Sequence, residues 1–134
     1  MRATPAPLAL APARVRRLIA AAERVEALTR GLARTTDQED AGRWVSALSM
    51  YYESPTRQAF LRELDTFAPD ERIELVALMW LGRGDGRETA ADWDGLVAEA
   101  RRVSPGGDVL LLVGRNRLSR YLAAGLSKLG LGRR

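Results

Sequence analysis

The run from Glu71 to Asp85, ERIELVALMWLGRGD, constrains this chain more than any other stretch. Ile73, Leu75, Val76, Ala77, Leu78, Met79, Trp80 and Leu81 crowd apolar side chains around every side of one short element. An element that is apolar all round belongs inside a protein, so the remaining segments must be built to cover it. Periodicity alone also permits a buried strand. Asp70 and Glu71 at the start suit the positive end of a helix dipole, and no other segment reads as a partner strand. The expectation is a central helix over about residues 70–82. Gly82 and Gly84 are expected to end it in left-handed conformations.

The flanking segments read as helices that cover this centre. From Pro12 to about Gly31, the positions Val15, Leu18, Ile19, Ala22, Val25, Leu28 and Leu32 recur in steps of three and four. That spacing forms one apolar stripe, and Pro12 suits the first helical turn, where its missing N–H is not needed. Thr35 to Gly42 reads as a loop. Trp44, Val45, Leu48 and Tyr51 or Tyr52 predict a further helix, ending before Ser54-Pro55, a restart signal with serine as cap. Phe60, Leu61, Leu64 and Phe67 give the next helix its buried face. Thr89 and Asp92 resemble a capping box ahead of a helix carrying Trp93, Leu96, Val97 and Ala100. After the Ser104-Pro105-Gly106-Gly107 turn, Asp108 to Val113 reads as one or two helical turns. Asn116 is expected to cap a last helix bearing Leu118, Tyr121, Leu122, Leu126 and Leu129.

The fold class expected is therefore all-α, a single-domain bundle of five to six helices around the central one. Its 134 residues suffice for one hydrophobic core without staples. Residues 1–11 read as a flexible Ala/Pro-rich arm, 12–130 as the helical domain and 131–134 as a frayed basic tail.

Composition removes several kinds of chemistry. The chain has neither cysteine nor histidine, so disulfides, thiolate nucleophiles and the common zinc, haem and non-haem iron sites are excluded. Acid–base work near neutral pH would need a carboxylate or an amine with a strongly shifted pKa. Charge is unevenly distributed within a net +4. Residues 1–34 carry seven arginines against two acids, residues 35–113 eight arginines against fifteen acids, and residues 114–134 six basic residues and no acid. Basic ends can meet polyanions, although arginine beside much alanine, leucine and glycine also follows from GC-rich coding. No segment reaches the roughly 18–20 apolar residues that span a bilayer. The N-terminus, interrupted by Pro5, Pro7 and Pro12, makes a poor secretory signal. A cytoplasmic setting without membrane contact is expected.

Several pieces carry a family resemblance. Asp70-Glu71, the apolar helix, Trp80-Leu81-Gly82-Arg83-Gly84-Asp85, Asp92-Trp93, Leu111-Leu112-Val113-Gly114 and Tyr121-Leu122-Ala123-Ala124-Gly125-Leu126 follow in order. Together with Pro12-Ala13-Arg14-Val15 through Leu18-Ile19, this resembles the bacterial family known as domain of unknown function 3775, over roughly residues 9–130. Asn116 and Arg117 stand where the family has proline and leucine, and Ala123 and Ala124 stand where it has two glutamates. The resemblance implies the helical scaffold and brings no activity, cofactor or partner.

Two groups of residues are candidate sites, and no catalytic, cofactor or metal ligand is assigned. Around the Gly82–Gly86 turn, Trp80, Arg83, Asp85 and Trp93 are candidates for ligand or partner contact. The plainer reading makes Arg83 and Asp85 the residues that hold a capping turn. A phosphate-binding glycine loop does not fit, because such loops follow a strand and open a helix. Asp85, Glu88, Asp92 and Asp94 lack the spacing of a calcium loop. On the last helix, Arg117, Arg120 and Lys128 can share a face for polyanion contact, the plainer reading being a solvated surface. The function expected is a non-enzymatic binding or adaptor module, with a protein partner or as an oligomer subunit. The alternative is a nucleic-acid-associated protein using its basic first and last helices, and a weaker option is a hydrolase-like or metal-assisted activity centred on Arg83 and Asp85.

Overall fold

The computed structural model describes residues 10–36, 54–83, 88–105 and 117–131. Among these the chain forms five α-helices and no strand: α1 (Pro12–Thr36), α2 (Pro55–Asp65), α3 (Pro69–Arg83), α4 (Trp93–Val103) and α5 (Leu118–Lys128). The fold is the expected all-α bundle. The helix expected around Trp44 to Tyr52 and the turns expected over Asp108 to Val113 lie outside the described residues.

Helix α3 is the centre. Ile73, Leu75 to Met79 and Leu81 are each at most 1% exposed, and Glu74 and Trp80 are half-buried in that run. Burying an aliphatic side chain fully contributes about 1.5–3 kcal/mol, so this element anchors the core. Its start is defined locally. The Glu71 carboxylate accepts from the Ala68 N–H at 2.6 Å, one half of a capping box around Pro69. Helix α5 makes the most extensive packing against α3, followed by α4, while α1 packs on α5 and α2.

The end of α3 corrects the sequence reading. Gly82 does not stop the helix, which continues to Arg83. Gly82 is needed because α5 comes too close for a side chain. A Cβ there would sit 1.8 Å from the Tyr121 carbonyl oxygen and 2.7 Å from the Gly125 nitrogen. Gly125 faces the same restriction from the other side, with a Cβ 2.4 Å from the Leu78 carbonyl oxygen. The two glycines form a paired notch at the α3–α5 crossing. Among the described residues the glycine with positive φ is Gly130 (φ 78°). There the N–H of Leu131 donates to the Leu126 carbonyl at 2.8 Å and that of Gly130 to Ser127 at 3.0 Å, a Schellman end for α5. Gly84 lies outside the described residues.

The other helix ends follow mostly from local signals. Ser54 caps α2, its hydroxyl accepting from the Thr56 N–H at 3.1 Å. The box at Thr89 forms as read, with Asp92 accepting from the Thr89 N–H at 2.8 Å and Thr89 accepting from the Ala91 N–H at 3.2 Å. It closes a 3₁₀ turn over Ala90–Asp92 that feeds α4. Two boundaries differ from expectation. Helix α1 passes through Gly31 to Thr36, because one interior glycine costs only about 1 kcal/mol and is no stop by itself. Helix α5 begins after Arg117 rather than after an asparagine cap, and Arg117 makes no side-chain capping bond.

Candidate functional site

That uncapped start of α5 is completed from α1. Glu26 accepts from the Ser119 backbone N–H at 3.0 Å and from the Ser119 hydroxyl at 2.6 Å. A carboxylate at this position satisfies one of the helix's open N–H groups and complements the positive end of its dipole. At the other end of the pair, Arg16 donates to the Leu131 carbonyl at 3.4 Å. The two contacts set α1 and α5 antiparallel, so the C-terminal part of α1 lies beside the first turn of α5.

A second polar junction ties α1 to the turn between α2 and α3. The Arg14 guanidinium donates to the carbonyl and hydroxyl oxygens of Thr66, both at 2.8 Å, and pairs with Glu71 at 3.4 Å. It also lies 4.2 Å from the centre of the Phe67 ring, a cation–π placement. Arg72 donates to the Phe67 carbonyl at 2.6 Å, and Glu74 accepts from the Leu10 N–H at 3.1 Å. Leu10, inside the segment read as an arm, is buried in the core. This junction holds helices together.

The residues singled out around the glycine turn occupy different environments. Trp93 is buried in the core at the first position of α4, and Trp80 is half-buried at the core's edge. Arg83 is exposed as the last residue of α3. Asp85 lies outside the described residues. Of the neighbouring acids, Asp92 is engaged by Thr89, Asp94 is exposed, and Glu88 has one buried carboxylate oxygen without a partner among the described residues. No group of three or more potential metal-ligating residues occurs among the described residues.

The three basic residues of the last helix also separate. Arg117 and Arg120 are exposed. Lys128 is half-buried, and its ammonium donates to the Leu81 carbonyl at 2.9 Å. A cation there meets one of the open carbonyls of the last turn of α3. In α1, Arg17, Arg24 and Arg30 are exposed, whereas Arg14 and Arg16 hold the bundle together. Sequence reading missed the contact of Glu26 with Ser119, and no local pattern marks it. On α4, a hydrogen bond from Arg102 holds the Glu99 carboxyl below its ordinary range and raises Arg102 in turn. Both are exposed, so solvent screens the pair and it marks no site. No described helix is long and apolar enough to cross a membrane.

A family model described as a protein of unknown function (DUF3775) matches residues 58–131. The match takes in most of α2 and all of α3, α4 and α5, including both glycines of the notch and the Trp80–Asp85 motif. Helix α1, which supplies Arg14 and Glu26, lies outside it. No curated protein and no solved structure matches the chain.

Proposed function

The chain belongs to the DUF3775 family of proteins of unknown function, and we propose that this member is a small non-enzymatic binding module acting through the outward side of its last helix. One observation carries this reading. The polar groups around α5 that face the bundle serve its architecture, whereas Arg117 and Arg120 stand exposed on a helix without an acid. Exposed charges of one sign steer a complementary partner and select against the wrong one. The partner favoured is a protein with an acidic surface, in a cytoplasmic setting.

The test is affinity capture with the tagged full-length chain and its R117E/R120E double variant, from extract of the native cell. The expected result is a partner recovered by the parent chain and lost with the double variant. A strictly monomeric protein by light scattering that captures nothing would overturn the reading.

The nucleic-acid reading has its own observation, the antiparallel pairing that sets the basic α1 beside the basic α5. It requires binding to generic duplex or single-stranded nucleic acid that falls steeply between low and physiological salt. Failure to bind at low salt removes it.

A further inference from the structure

Resting on the reading of this protein as a binding module, we propose that its contact patch spans two helices. Arg30 of α1 joins Arg117 and Arg120 of α5, and the occupant is a short acidic segment of a partner protein. The placement follows from one register. Glu26 reaches Ser119 through both carboxylate oxygens. Arg30 lies four residues beyond Glu26, and side chains four apart on a helix are neighbours, with about 5–6 Å between their Cβ atoms. Arg117, the residue before α5, and Arg120, in its first turn, bracket Ser119. The Arg16–Leu131 contact holds the opposite end, so α1 cannot slide along α5 without breaking one contact or the other.

Charge then selects the occupant. All three arginines are exposed. Glu26, among the described residues the acid nearest to them in register, directs both oxygens at Ser119 and so faces α5. The Glu26 carboxylate already compensates the positive end of the α5 dipole, so the arginines alone supply the positive charge of the patch. Arg17 and Arg24 point elsewhere, since at about 100° per residue they fall on the side of α1 opposite Glu26. Among the described residues the patch is therefore compact and matches a few carboxylates. A duplex carries one phosphate charge for about every 1.7 Å of axis and needs a longer cationic track. Here the next exposed charge back along the same side of α1 is Glu23, and Asp65, Asp70 and Asp94 are exposed on other helices.

Fluorescence anisotropy of a labelled hexaglutamate peptide and of a short DNA duplex, titrated with the full-length chain at low salt, tests the patch. The parent chain is expected to bind hexaglutamate more tightly than the duplex. R30E, R117E and R120E are each expected to weaken that binding about 3- to 10-fold, while R17E leaves it unchanged. Circular dichroism confirms that each variant is folded. Parent-like binding by R30E removes Arg30 from the patch, and tighter binding of the duplex overturns the acidic-segment assignment. Binding of neither probe overturns the patch as a whole. A captured partner that depends on Arg117 and Arg120 but not on Arg30 would sink this inference and leave the module reading standing.

Discussion

Glu26 on α1 completes the N-terminus of α5 by accepting from both the backbone N–H and the hydroxyl of Ser119, a residue 93 positions away. The start of the last helix thus depends on the first. Glu26→Ala leaves a buried serine without its partner and opens the helix end, whereas hydrogen bonds to a charged group contribute about 1.5–3 kcal/mol each. Because Glu26 is only half-buried, a total loss of about 1–3 kcal/mol is expected in urea denaturation. Hydrogen exchange should accelerate at the Ser119 amide before the α3 amides change. Stability within about 0.5 kcal/mol of the parent would show that the cap is dispensable.

The glycine notch makes opposite predictions for two glycine-to-alanine changes. Gly95 lies in α4 with nothing within 4 Å of a built Cβ. Gly95→Ala should therefore stabilise by up to about 1 kcal/mol through helix propensity. Gly82→Ala carries the same propensity gain but drives a methyl group into the backbone of α5. It should cost several kcal/mol, roughly 3 or more, or prevent folding, because backbone cannot yield as a side-chain tip does. Thermal melts of the two variants side by side decide the matter, and a stable Gly82→Ala protein would rule out the close crossing.

Arg14 is expected to resist replacement even by lysine. Its planar fork reaches both oxygens of Thr66 while lying over Phe67, and an ammonium cannot reproduce that geometry. Arg14→Lys should lower stability by about 1 kcal/mol and Arg14→Ala by about 2. Equal stability of the lysine variant and the parent would mean that charge alone suffices.

Lys128 separates structural from surface basic residues. Its ammonium bonds the Leu81 carbonyl at 2.9 Å, so Lys128→Met should cost about 0.5–1.5 kcal/mol. The same change should weaken anionic-probe binding less than Arg117→Met or Arg120→Met. If Lys128→Met proves the most damaging of the three to binding, the contact face lies on the α3 side of α5 and not beside α1.

Much of the scaffold is legible along the chain because its determinants are local. The all-round apolar run over Ile73 to Leu81 requires burial, Ser54-Pro55 marks a helix start, and Thr89 with Asp92 forms its box within four residues. Gly82 shows where such reasoning stops. A glycine near a helix end signals a left-handed cap in sequence, but here its small size answers the approach of Tyr121 and Gly125. Two of the stretches that carry the family resemblance meet at one crossing, Gly82 on α3 against Tyr121 and Gly125 on α5. The candidate sites were less legible. Arg117, Arg120 and Lys128 look equivalent in sequence, yet the Leu81 carbonyl engages one of them and solvent surrounds the other two.

Sequence alone determined the helical class, the buried centre, the main helix starts and the exclusion of thiol and imidazole chemistry. Each depends on residue type or on spacing within a few turns. Tertiary structure decided that Glu26 caps α5, that Gly82 and Gly125 admit a close crossing, and which arginines remain on the surface. Those outcomes depend on groups brought together from distant positions, and a helix's own periodicity does not encode which neighbour will meet its outward-facing charges.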